Sequence, residues 1–186
     1  MSVLLIYDYK DYPDSALNLE SSLRLGLLED QNISTSILLY KTLSQIRNDK
    51  VFECFDFSFQ ISGDNDLYCL SLALRRVDWE AFDIIIFMNS SCVGPILPSY
   101  VSNTLWTKIF TDRLNDDCLM TGPILEIPTP GQIEDAMVSQ ADLRRLASIV
   151  HIGIPFIHTY CFAITKLGLS IILSLIHISE PTRRYA

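Results

Sequence analysis

The chain has 186 residues, 49% of them apolar and 19% charged, and a net charge of −8. That composition is globular: too apolar for a disordered chain and too often interrupted by charge for a membrane bundle. The acidic balance, with no basic cluster longer than Arg183-Arg184, disfavours general binding to nucleic acid or to anionic membranes.

Val3 to Tyr7 is a short continuous apolar run, the pattern of a strand covered on both faces. A polar loop follows, and Asp14 is placed to cap a helix whose Ala16, Leu19, Leu23 and Leu27 recur at three- and four-residue spacing. Residues 36–40 predict a second strand. In residues 51–59, Phe55, Phe57 and Phe59 alternate with Asp56 and Ser58, which predicts a half-buried strand. After the polar turn from Ser62 to Asp66, residues Leu67, Leu70, Leu74 and Val77 fall at helical spacing.

Phe82 to Met88, with three consecutive isoleucines, is the strongest strand signal and suits a central parallel strand in which Ile84 and Ile86 are buried. Asn89-Ser90-Ser91 ends it, and Gly94-Pro95 and Pro98 enforce a loop. Leu105, Ile109, Phe110 and Leu114 suggest a helix beside Trp106. Residues 118–125 read as a strand broken at Gly122-Pro123. Residues 133–147 read as an amphipathic helix with Arg144 and Arg145 exposed, residues 160–164 as a last strand, and a helix begins near Gly168. Alternating strand and helix patterns predict an α/β fold with a largely parallel sheet flanked by helices.

Leu173 to Arg183 is similar to the in-frame translation of a transposon-type sequencing adapter. On that reading the natural sequence stops near Ile172. Residues 1–172 then form one α/β domain, incomplete at its C-terminus, and residues 173–186 are a non-native tail to be excluded from fold reasoning.

The five cysteines have neither C-x-x-C nor zinc-ligand spacing, and Cys54 and Cys161 read as small buried hydrophobes. The first residues lack the basic segment of a signal peptide, so the location expected by default is cytoplasmic. Residues 149–178 are apolar but contain His151, His158, Lys166, two glycines and a proline, and read as no membrane span.

Ligands of open α/β sheets bind beyond the carboxyl ends of the strands. That rule selects Tyr7-Asp8, Ser62 to Asp66, and Asn89 to Pro95, and predicts that Tyr7, Asp8, Asp66 and Asn89 line one cleft. Asp64 and Asp66, two residues apart, could hold a Mg²⁺ or Mn²⁺ ion against a diphosphate. Alternatively, Asp64 caps the next helix and Asp66 sits in its first turn. The amide and hydroxyls of Asn89, Ser90 and Ser91 could bond a ribose, sugar or phosphate, or simply turn the chain. His151 and His158 read as core residues. Neither a glycine-rich phosphate loop nor a G-x-S-x-G elbow occurs.

The block from Phe82 to Tyr100 resembles a family of glycosyltransferase-like proteins distantly similar to rhamnan-synthesis-F-type proteins. The resemblance is carried by Asp83, Asn89, Ser90, Ser91, Gly94, Pro95, Leu97 and Pro98. Trp106-Thr107, Phe110-Thr111 and Leu114 downstream are similar to that family. So are Asn18-Leu19-Glu20, Leu23-Arg24 and Gly26-Leu27 upstream, and Gly63 with Asp66. The resemblance implies a GT-A-like (Rossmann-like) domain, truncated here, that moves a sugar from a nucleotide-diphosphosugar donor to a hydroxyl of a glycan acceptor. Tyr7, Asp8, Asp66, Asn89, Ser90, Ser91 and Gly94 would bind substrate, and Asp64 and Asp66 would hold any Mn²⁺ or Mg²⁺. The alternatives are a non-catalytic carbohydrate- or nucleotide-binding module and an inactive fragment.

Overall fold

The computed structural model describes residues 1–10, 12–41, 50–62, 66–97, 105–123, 125–126, 156–157 and 160–179. The elements are β1 (Val3–Tyr9), α1 (Ser15–Arg24), β2 (Ile33–Tyr40), α2 (Lys50–Glu53), β3 (Phe57–Gln60), α3 (Asp66–Leu74) and β4 (Ile84–Asn89). They continue with α4 (Lys108–Thr111), β5 (Met120–Thr121), β6 (Leu125–Glu126), β7 (Phe156–Ile157), β8 (Cys161–Thr165) and α5 (Lys166–Ser179). Met1–Thr121 and Thr159–Ala186 belong to one compact unit, and Gly122–His158 to a second, within which β6 and β7 pair antiparallel.

The main sheet has the order β3-β2-β1-β4-β8-β5. Its first four strands are mutually parallel, and β8 runs antiparallel to both of its neighbours. The expected largely parallel α/β architecture is therefore present, and it is Rossmann-like. β1 is buried at every position, as are all six residues of β4, because strands inside a covered parallel sheet present apolar side chains to both faces. On one face Val3, Leu5, Tyr7, Ile84, Ile86 and Met88 share a cluster with Leu19 and Leu27 of the α1 segment and with Trp106. On the other face the rings of Phe87 and Phe162, directly opposite across β4 and β8, stack at 5.4 Å.

Two aspartates clasp the amino ends of the strands. The Asp83 carboxylate accepts the Ser2 N–H at 2.7 Å and its hydroxyl at 3.2 Å, beside the first β1–β4 residue pair. The Asp56 carboxylate does the same to Ser36, at 2.7 and 2.9 Å, beside the first β2–β3 pair. The bonds from Ser2 hold the Asp83 carboxyl below its ordinary range. A third aspartate, Asp30, accepts the N–H and hydroxyl of Thr107, both at 2.9 Å, while Trp106 Nε1 donates to Leu27 O. These bonds seat the Trp106-Thr107 segment on the turn that leaves α1.

Residues 51–59 do not form one strand. Lys50–Glu53 forms a helical turn instead, and both Val51 within it and Phe55 just after it are buried against the core. Capture of the Asp56 side chain by Ser36 delays the strand to Phe57, which is half exposed on the edge of the sheet. The segment after Trp106 is helical for only four residues. The helix expected over 133–147 lies outside the described residues, as do His151 and His158.

α1 closes on Gly26 at φ +83°, with Leu27 N–H bonded to Ser22 O and Gly26 N–H to Leu23 O, the Schellman pattern. Replacing Gly26 by Ala places a Cβ in the left-handed region and 3.1 Å from Glu29 Oε2. A loss of about 1–2 kcal/mol is expected in urea unfolding. Ile86→Ala, at a fully buried site, is expected to cost about 2–5 kcal/mol in the same measurement.

Candidate functional site

β2 and β3 extend from β1 in one direction, and the chain then returns past it so that β4 takes β1's other flank. The carboxyl ends of β1 and β4 therefore flank a topological switch point, the place where ligands of open α/β sheets bind. There Asp8 lies directly opposite Asn89. Both side chains are nearly fully buried.

Asp8 is held by a residue that the sequence reading passed over. Lys10 Nζ lies 2.7 Å from Asp8 Oδ2, with the two side chains only 8% and 1% exposed. The ammonium also approaches Cys69 Sγ of α3 at 3.7 Å. Lys10 could have been found from Asp8, since side chains two apart on an extended chain share a face.

Ser90 knots the edge together. Its Oγ accepts the Lys10 N–H at 2.9 Å and donates to Ser15 Oγ at 2.9 Å. Its N–H donates to Asp8 O at 3.0 Å, and its carbonyl accepts Asn18 Nδ2 at 2.8 Å. Ser90 is fully buried. Asn89 Oδ1 accepts the Ser91 N–H at 3.0 Å and bonds the Ser91 hydroxyl as well. Asn89 N–H donates to Tyr160 O at 2.8 Å, which brings the residue before β8 to the same edge.

The site residues expected from sequence thus separate into groups. Asp8, Asn89, Ser90 and Ser91 come together, with Ser91 exposed. Tyr7 does not face the same way as Asp8: strand alternation turns its ring into the α1-side cluster, where it is fully buried near Phe55. Burial raises its phenol above the ordinary value, and Cys92 adds to the effect. Gly94 is buried along α1, its N–H donating to Ser22 Oγ at 3.2 Å. Asp66 is the first residue of α3, and Asp64 lies outside the described residues.

Among the described residues no group of three His, Cys, Asp or Glu side chains could hold a metal ion. Asp8, the carboxylate that β1 brings to the carboxyl edge, is already neutralised by Lys10. Asp8 and Lys10 alone do not make a divalent-cation site, and Asp64 of the expected metal pair lies outside the described residues. A groove of about 380 Å³ between Gly26, Asp30, Leu97 and Trp106 lies at the other end of α1, away from this edge. The Asp30 carboxylate that borders it is committed to Thr107 and to the Asn32 N–H. No helix among the described residues is long and apolar enough to cross a membrane.

No family model and no curated protein matches the chain. Among solved structures, it is similar to 4-diphosphocytidyl-2C-methyl-D-erythritolsynthase from Anaerococcus prevotii. The TM-score is 0.54 and the identity 13%, over 99% of this chain and 78% of that one. Looser likenesses are to CMP:2-keto-3-deoxy-manno-octonic acid synthetase complexed with CTP (TM-score 0.47, 9% identity, 94% and 77% covered) and to a glycosyltransferase involved in glycosylating the major capsid of PBCV-1 (0.37, 11%, 100% and 71%). At such identities the likeness is one of fold: a GT-A-like, Rossmann-like α/β sandwich.

Burial holds three thiols above their usual range, Cys69 and Cys92 at about 11 and Cys161 at about 12. Iodoacetamide at pH 8 is therefore expected to leave all three unmodified in the native protein and to reach them in urea. A pKa raised on folding contributes stability that is present below the unfolded value and lost as pH rises through the folded one. The unfolding free energy should therefore decline as pH climbs from about 9 towards 12. Replacing the three cysteines by alanine should flatten that decline.

Proposed function

We propose that this chain is a nucleotide-sugar-binding, glycosyltransferase-like domain whose donor lies across the carboxyl ends of β1 and β4. The observation that carries this reading is the placement of Asp8 directly opposite Asn89 at the switch point, with Lys10 beside them. Two further points support it. The block around Asn89-Ser90-Ser91 resembles glycosyltransferase-like proteins, and the fold is shared with a synthase whose name describes a diphosphocytidyl product.

On this reading Asn89 and Ser91 contact the donor's ribose or sugar hydroxyls, and Asp66, the first residue of α3, is a further candidate contact. Tyr7 and Gly94 lie on the α1 side and support the edge without touching the donor. Transfer to a hydroxyl requires counter-charge for the departing diphosphate. Lys10 supplies an ammonium at this edge, and reaching a diphosphate requires it to turn away from Asp8. A non-catalytic nucleotide-binding module is the second reading. It is favoured by the burial of Asp8 and its neutralisation by Lys10, which suit a carboxylate poorly to the work of a base. Donor hydrolysis separates the two readings.

The test is calorimetry with several nucleotide diphosphosugars, with and without Mn²⁺. Asn89→Ala is expected to weaken binding by about 1–3 kcal/mol, roughly an order of magnitude in affinity, and Asp64→Ala by less. Failure of every nucleotide sugar to bind would overturn the reading. Binding that depends on Mn²⁺ and is abolished by Asp64→Ala, with Asn89→Ala silent, would make Asp64-Asn65-Asp66 the working metal motif instead.

A further inference from the structure

We propose that Ser90, tied to Ser15 and Asn18 of α1, is a positioning residue for the donor edge: it makes no contact with ligand and acts by holding Asn89 and Lys10 in place. The inference rests on the reading of the edge as a donor site and assigns Ser90 a different duty within it. Ser90 is fully buried, and its polar groups are engaged inside the protein. Its Oγ accepts the Lys10 N–H, its N–H reaches back to Asp8 O, and its hydroxyl proton goes to Ser15 Oγ. Ser15 Oγ in turn accepts the Tyr12 N–H at 3.2 Å, so the knot also fixes the far side of the β1–α1 loop.

Geometry explains why the knot falls here. The β1–β4 ladder ends at the Asp8–Asn89 pair, so beyond it the sheet no longer sets the separation of these two chains. β1 runs one residue further, to Tyr9 opposite Tyr40 of β2, before heading towards α1, while β4 gives way to the turn from Ser90. A single small hydroxyl between them can accept from one chain and donate to the helix. Asn18 Nδ2 completes the tie from the first turns of α1, at 2.8 Å from Ser90 O. Loosening the knot frees Lys10 and Asn89 to wander relative to each other, which costs a ligand that must touch both.

The experiment is a double-mutant cycle on the full chain, with ADP, CDP, GDP and UDP as probes in calorimetry and with thermal unfolding in parallel. The nucleotide that the unmodified protein binds tightest is used throughout. Ser90→Ala and Asn18→Ala are each expected to lower its affinity about fivefold, within the range of a lost neutral hydrogen bond. In an Asn89→Ala background the same changes are expected to lower it less than twofold, because there is no longer an aimed amide to misplace. Their effects on melting temperature should simply add to that of Asn89→Ala. Asn18 is half-buried on α1, so Asn18→Ala carries the test if Ser90→Ala does not fold. Equal losses with and without Asn89, or unchanged affinity in both variants, would overturn the inference and leave the donor reading standing. No binding by the unmodified protein of any of the four nucleotides or of their nucleotide diphosphosugars would overturn both.

Discussion

The pairing of β1 with β4 is the constraint that the rest of the chain satisfies. The two strands are far apart in sequence, and they meet in parallel and in register from Val3 opposite Ile84 to Asp8 opposite Asn89. A shift of one residue would turn Ile84, Ile86 and Met88 away from the cluster that holds Leu19 and Trp106, and would bring polar Asn89 into it. The same shift would separate Asp8 from Asn89. Packing and the candidate site therefore depend on one alignment.

Hydrogen bonds outside the ladder guard that alignment at both ends. At the amino end, Asp83 receives two bonds from Ser2; at the carboxyl end, Ser90 joins both strands to α1. Bonds to a charged acceptor contribute about 1.5–3 kcal/mol each when partly shielded, and less at an exposed position such as Asp83. Their value lies in register as much as in stability, because Asp83 meets Ser2 only when Val3 is opposite Ile84. The Asp56–Ser36 clasp repeats the device between β2 and β3. Trp106 and Thr107, anchored on Leu27 and Asp30, pin the segment after β4 to the end of α1.

The strands were legible in the sequence wherever burial on both faces wrote a continuous apolar run, as at Val3 to Tyr7 and Ile84 to Met88. Residues 51–59 were misleading because the alternation of Phe55, Phe57 and Phe59 imitates a strand. Val51 and Phe55, four apart, fall on one face of a strand and of a helical turn alike, so their shared burial could not separate the two. The direction of β8 was not legible: Cys161-Phe-Ala-Ile is equally apolar read either way, and its antiparallel course is set by its two partners. At the site, the grouping of Asp8 with the Asn89 turn was legible because both end strong strands. Tyr7 was assigned to the same cleft against the alternation rule that separates adjacent side chains. The knot at Ser90 was missed because its partners come from α1, and nothing local in the sequence announces those contacts; Lys10 was missed although alternation from Asp8 pointed to it.

The order of strands along the chain has a consequence for synthesis. β1, β2 and β3 are adjacent in space and emerge first, so they can assemble while residues 84–89 are still inside the ribosome. Until β4 arrives, one flank of a strand that is buried along its whole length in the finished fold stands open, with its backbone donors and acceptors unmatched and Ser2 without Asp83. A nascent chain that stalls after β3 has emerged and before β4 has presents that flank to any other extended chain nearby. The adhesive species of this protein is therefore the three-stranded nascent chain, and the time taken to translate the segment ahead of β4 sets how long it remains so.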